Sequence, residues 1–191
     1  MAFIELIGDD SGSEDARRLV DGARDGAGDV PNFVRLFAHR PDVYDAWQGL
    51  KAAVADGMDL RRYELATLAA ARRLRSSYCA LQHGKVLAQQ FLSFEEVPGL
   101  PEGLDEADRA VMELAEKVVD DATSVTQSDI DRLRALGLSD AEIVDVVLAA
   151  AARCFFSKTL DALGVAPDAI YTELPEEFRE ELTVGRPIET A

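Results

Sequence analysis

A cysteine, a histidine and a carboxylate fall within one apolar stretch, ELATLAAARRLRSSYCALQH (Glu64 to His83), in a chain of 191 residues that has two cysteines and two histidines in all. Cys79 and His83 are four positions apart, so on a helix they share one face, a turn apart. An imidazole placed there can accept or share the thiol proton. Ser76 stands three residues before Cys79, and serine is a preferred N-cap. The spacing predicts that an Arg-rich helix ends near Arg75 and that a second helix opens at Ser76, with Cys79 in its first turn. Helix N-termini and nearby cations favour a thiolate, and the cations at hand are His83, Arg72, Arg73 and Arg75. The chemistry on offer is that of a nucleophilic, oxidisable thiol. The competing interpretation is an inert buried cysteine beside a satisfied histidine.

The order Glu64, then Ser76-x-x-Cys79-x-x-x-His83, resembles the signature of the alkylhydroperoxidase D-like (AhpD-like) and carboxymuconolactone decarboxylase family, in which a Glu precedes Cys-x-x-Cys-x-x-x-His by this interval. Three further stretches are similar to the peroxidase-related branch of that family: VPNFVRLFAHRPDVYDAW (Val30 to Trp47), ADRAVMELAEKVV (Ala107 to Val119) and LGLSDAEIVDVVLAAAARCF (Leu136 to Phe155). The resemblance covers residues 30 to 165 and implies a compact all-α fold that assembles into homo-oligomers. It also implies that Cys79 attacks a hydroperoxide and that Glu64 and His83 relay its proton. The position of the family's first cysteine is Ser76, so the disulfide of its dithiol members cannot form between these two positions. An external thiol or a protein reductant must then restore Cys79. No metal or organic cofactor is called for.

The rest of the chain supplies the scaffold. It is 48% hydrophobic and 29% charged, a globular composition long enough for one core. A formal charge of −16 disfavours nucleic acid and anionic membrane as partners. The N-terminus MAFIELIGDD lacks the run and basic flank of a signal peptide, no stretch reaches the ~18 apolar residues of a membrane span, and the two cysteines make no disulfide framework. The expected location is cytoplasmic. Residues 1–29 read as an arm with one short helix, SEDARRLVDGARD, capped by Ser13; residues 30–166 form the helical domain; residues 167–191 are an acidic tail with a short helix near Glu176 to Leu182, exposed or packed on a neighbouring subunit.

Within the domain, a helix from Asp42 to Ala55 should bury Val43, Trp47, Leu50 and Val54, with His39 in the turn before it and no metal spacing around it. Asp59 should cap the helix from Leu60 to Leu74, with Glu64 in its first turn, where the helix dipole alone would favour a carboxylate. The next helix, Tyr78 to Phe91, should turn Cys79, Leu81, Val86, Leu87 and Phe91 inward, and Tyr78 stands close enough in sequence to support the relay or simply to pack. The loop SFEEVPGLPEGL, residues 93 to 104, is placed to shield a thiol pocket. Asp105 and then Thr126 or Ser128 should cap two amphipathic helices, the second closed by Gly137.

Shifting the chain by 78 residues sets Leu138 on Leu60, Glu142 on Glu64, Arg153 on Arg75, Cys154 on Ser76 and Ser157 on Cys79, a candidate internal helix-pair repeat in which Asp161 replaces His83. Cys154 is expected to face the core; its sharper role is as a resolving partner for Cys79. Three functions remain open at this level: a one-cysteine hydroperoxidase with an antioxidant role, a decarboxylase-like lyase acting on a small acid, and a redox-sensing or structural oligomer.

Overall fold

Capping side chains set where the helices begin. In the computed structural model, which describes residues 2–24 and 28–190, nine α-helices form among the described residues. They are α1 (Glu14–Gly22), α2 (Asn32–Phe37), α3 (Pro41–Gly57), α4 (Leu60–Arg73), α5 (Ser77–Gln90), α6 (Glu106–Asp121), α7 (Gln127–Ala135), α8 (Asp140–Ala162) and α9 (Glu176–Leu182). Ser13, Asp59 and Asp105 each accept a backbone N–H from the third residue on, and Thr126–Asp129 and Ser139–Glu142 form reciprocal capping boxes. The expected end of the first helix at Asp25 lies outside the described residues.

The axis of the fold is α4. Leu65, Ala66, Thr67, Leu68, Ala69, Ala70 and Ala71 are all fully buried, and a helix apolar on every side belongs inside a bundle. Its alanines let α5, α6 and α8 approach closely. Arginines at its ends reach outward: Arg61 Nε donates to Asp108 of α6 at 2.8 Å and Arg62 Nη1 to Glu142 of α8 at 2.7 Å. Such partly exposed pairs fix register and contribute about 0–1 kcal/mol each. Thr67 Oγ1 satisfies itself on the Tyr63 carbonyl at 2.8 Å, which lets a hydroxyl lie in the core.

Between α4 and α5 the chain turns within Leu74, Arg75 and Ser76. Arg75 takes a left-handed φ of 57°, which is uncommon for a side chain of that size. The segment after α9 is pinned to this turn: Gly185 N donates to Ser77 Oγ at 2.8 Å and Arg75 Nε to the Val184 carbonyl at 3.2 Å.

Several expectations change here. The register shift of 78 does not mark a second helix pair, because α8 runs unbroken from Asp140 to Ala162. Where α4 and α5 are separated by Leu74-Arg75-Ser76, α8 has Ala152-Arg153-Cys154, which offers neither a cap nor a left-handed residue. Arm and tail both pack on the body. Ala16 and Val20 of α1 are buried, and Phe3 N donates to the Leu163 carbonyl at 2.8 Å. Phe178 and Leu182, one turn apart on α9, are fully buried against Gly84 of the chain's own α5, where a Cβ would meet Leu182 Cδ1 at 2.4 Å. Leu50 of α3 and Phe91 after α5 are exposed rather than inward, and Tyr44 joins Trp47 and Val54 on the buried face. The 93–104 loop is tied to α4 by Arg72, which donates to the Val97, Pro98 and Leu100 carbonyls at 2.9–3.1 Å, and it lines no part of the cavity beside Cys79. No helix among the described residues is long and apolar enough to cross a membrane.

Candidate active site

Ser76 occupies the N-cap position of α5 and is fully buried, although its hydroxyl makes no cap bond. Cys79 therefore lies in the first turn, as the serine spacing predicts, and is 2% exposed. What lies beside it is a cavity of about 510 Å³ whose wall includes Cys79, His83, Glu64 and Arg153. The cover of this cavity comes from α2, α3 and the 169–173 turn, through Phe33, Tyr44, Trp47, Lys51 and Tyr171.

Glu64 sits in the second turn of α4, one residue beyond the reach expected of a dipole-stabilised first-turn carboxylate, and is buried at 5% exposure. Its Oε2 lies 2.6 Å from His83 Nδ1. Burial is the main influence on His83 and lowers its pKa from the usual 6.5, with the Arg153 and Lys51 charges adding to the effect and Glu64 opposing it. The neutral ring can be assigned from its neighbours. Arg153 Nη1 approaches His83 Nε2 at 3.0 Å and a guanidinium only donates, so Nε2 is the acceptor and Nδ1–H donates to Glu64. Tyr63 meets the ring edge-on at 6.1 Å.

Arg153 is the residue that sequence reasoning missed. It is 4% exposed, and the same Nη1 that meets His83 also reaches Cys79 Sγ at 3.7 Å. Its guanidinium lies over Trp47 and Phe156, 5.2 and 5.3 Å from the ring centres, and its Nε–H has no acceptor. Ser157, one turn on, is fully buried and donates its hydroxyl to Cys79 Sγ at 3.1 Å. Two donors from α8 thus converge on the sulfur. A signal for both was present: a lone arginine inside the apolar run VVLAAAARCFF and a serine four residues later on the same face.

Other expected residues are placed differently. Tyr78 lines the same cavity, but its hydroxyl bonds Asp168, whose carboxylate also accepts from Asn32 N at 2.8 Å. Burial, reinforced by Asp168, raises the Tyr78 pKa, so it remains a neutral phenol. Cys154 is half-buried, free and absent from the cavity wall, because it follows Arg153 by one residue and so points about 100° round the helix. His39 bonds the Glu5 carbonyl at 2.8 Å on the surface. Among the described residues no three His, Cys, Asp or Glu side chains are grouped as metal ligands.

No protein-family model matches the chain, and no curated protein sequence does. Solved structures do. The chain is similar to an uncharacterized peroxidase-related protein with the alkylhydroperoxidase AhpD core from Ralstonia eutropha JMP134, at 23% identity over 97% of this chain and 98% of that one, with a TM-score of 0.74. It is similar to an uncharacterized peroxidase-related protein from Silicibacter sp. TM1040, at 19% identity over 90% and 94% of the two chains, TM-score 0.75. It is also similar to the debrominase Bmp8 in complex with 2,3,4-tribromopyrrole, at 14% identity over 95% and 98%, TM-score 0.71. The helices described above therefore make up the all-α AhpD-like fold.

Proposed function

We propose that the chain is a thiol-dependent, hydroperoxidase-like oxidoreductase that works through a single cysteine, Cys79. The supporting observation is the continuous set of contacts from Glu64 through His83 and Arg153 to Cys79 Sγ at the wall of a partly open cavity. Nucleophile, base and orienting carboxylate are what an activated thiol requires.

Neutral His83 takes the thiol proton on Nε2, and Glu64 holds the resulting imidazolium. The Arg153 N–H that had bonded Nε2 turns to the sulfur, where Ser157 also donates. The thiolate attacks the distal oxygen of a hydroperoxide, so an S–O bond forms and the O–O bond breaks. The alkoxide, or hydroxide, leaves with the bonding pair and takes the proton from His83. Cys79 is left as a sulfenic acid. One external thiol then forms a mixed disulfide with release of water, and a second releases the oxidised disulfide and restores Cys79. A reducing cytoplasm would supply that thiol. Exposed Val144, Leu148 and Phe155 on α8 support a homo-oligomer as the working form.

The test is consumption of an organic hydroperoxide with excess small thiol, in wild type, Cys79→Ser and Cys154→Ser, with mass spectrometry of Cys79 for sulfenic acid. Turnover lost only in Cys79→Ser is the expected result; turnover that survives that change, or an unmodified Cys79, would refute it. The aromatic wall of the cavity and the likeness to a debrominase favour a second function, thiol-dependent removal of halide from an aromatic ring, for which halide release is the readout.

A further inference from the structure

Lys51 takes no part in the chemistry proposed for Cys79, yet it interrupts the buried stripe of α3, where Tyr44, Trp47 and Val54 recur at helical spacing on either side of it. It is half-buried and lines the cavity, and among the described residues no hydrogen bond or ion pair holds its ammonium. Burial pushes its pKa below the usual lysine range, with Arg153 adding to the effect and Glu64 opposing it. An unpaired ammonium on an apolar face is costly, and a neutral leucine or methionine would pack there without that cost.

A second buried cation shares the space. Arg153 is nine-tenths buried and more, and its Nε–H has no acceptor. Among the described residues the one carboxylate in the wall, Glu64, is already engaged by His83, which is held neutral. The cavity therefore carries a surplus of positive charge inside a chain of formal charge −16. Between the two cations the surface is aromatic: Trp47 stacks on Phe156 at 5.2 Å, and Phe33 meets Phe156 edge-on at 5.6 Å. A volume near 510 Å³ accommodates a one- or two-ring molecule.

We propose that the cavity takes a planar aromatic molecule bearing an acidic group, with the ring among Phe33, Trp47 and Phe156 and the anion on Lys51. The proposal rests on the hydroperoxidase function only for the group presented to Cys79. Aromatic rings give the contact area and the ammonium gives the orientation, so that the end of the ligand remote from its acid faces the sulfur.

Calorimetry with phenylacetate, phenethyl alcohol and cyclohexylacetate tests this, with the fluorescence of Trp47, the single tryptophan, reporting the site. Phenylacetate should bind about tenfold more tightly than either analogue and perturb Trp47. Lys51→Met should remove about tenfold of that affinity without changing the affinity for the alcohol, and Lys51→Arg should retain it. Equal binding of acid and alcohol in the wild type, equal binding of the aromatic and alicyclic acids, or no binding at all would overturn the proposal. Should Lys51→Met fail to fold, the wild-type ligand series and Lys51→Arg still decide. None of these ligands carries a peroxide bond. Binding with no hydroperoxide turnover would thus sink the hydroperoxidase function alone, and turnover with no preference for aromatic acids would sink this proposal alone.

Discussion

Arg153→Met removes a buried charge while leaving an apolar side chain between Trp47 and Phe156. Two effects of opposite sign should follow. The guanidinium nitrogen lies 3.7 Å from Cys79 Sγ, and at an effective dielectric of ~20 a unit charge at that distance interacts with a thiolate by about 4 kcal/mol. Exchange with water reduces the net value of a charge-assisted hydrogen bond to about 1.5–3 kcal/mol. A loss of about 2–3 kcal/mol at the transition state corresponds to a rate lower by roughly 30- to 150-fold. Stability should move little or rise. The lost contacts over Trp47 and Phe156 contribute about 1 kcal/mol each, whereas Arg153 brings a desolvation cost and an unpaired Nε–H. Single-turnover oxidation of Cys79 by hydroperoxide gives the rate, and urea denaturation gives the stability. A variant that reacts within about threefold of wild type would refute the role given to Arg153. So would a fall in activity matched by a large loss of stability, since that would make the guanidinium a packing element. Arg153→Lys should recover part of the rate only, because an ammonium lacks the planar guanidinium that lies over Trp47 and Phe156 and so holds Nη1 between Nε2 and Sγ.

The lowered pKa of His83 makes stability depend on pH in a defined direction. In the unfolded chain the imidazole takes up a proton below its usual 6.5, while the folded site resists it, so stability should fall as pH drops below 6.5 by up to about 1.4 kcal/mol per pH unit until the folded group titrates. Subtracting the His83→Gln profile from that of wild type, both from urea denaturation at several pH values, should isolate this slope; parallel profiles would mean that the ring is not held neutral. Gly185→Ala would place a Cβ 1.9 Å from the Arg75 carbonyl oxygen, so the tail must leave the α4–α5 turn at a cost of about 1–3 kcal/mol. Gly49→Ala, with nothing within 4 Å of the new methyl, should instead stabilise α3 by up to about 1 kcal/mol, and thermal melts that fail to separate the two variants would contradict the close packing at Gly185.

The helices were legible wherever a local signal decided them. Asp59, Asp105 and Thr126 cap where their types and the following periodicity say they should, and Ser76 opens α5 so that Cys79 falls in its first turn. Glu64 and His83 could be paired only through the family interval, since a 19-residue separation across a turn has no periodicity to reveal it. Arg153 and Ser157 stand out in the sequence only as polar residues on one face of an apolar helix; their partner is on another helix, and the sequence shows that face of α8 but not what it meets. Leu50 and Phe91 failed for a related reason. Apolar type predicts burial on average, yet a helix has more apolar positions than neighbours to cover them, and α3 spends its inward face on Tyr44, Trp47 and Lys51. The repeat was misread because helix pattern alone does not distinguish one long helix from two joined by a turn; the left-handed Arg75 makes that difference.

The serine at position 76 and the path of the C-terminal segment belong together. Ser76 is fully buried, and the turn that carries it is covered by Val184 and Gly185 through bonds to Arg75 and Ser77. A resolving thiol works by exchange, which requires that an incoming thiolate reach its sulfur in line with the bond it breaks. No such approach exists at this turn while the tail is seated. Cys154 lies on the flank of α8, outside the cavity wall. For the oxidised Cys79 of the proposed cycle, the remaining route in is the cavity itself, past Lys51, Gln82 and Tyr171, whose hydroxyl is tied to Gln82 at 2.8 Å. Cys79 is 2% exposed, so in that cycle the route favours a small thiol over one borne on the surface of a folded protein. A small thiol with an acidic group would meet the same unpaired ammonium that is proposed to hold an acidic ligand.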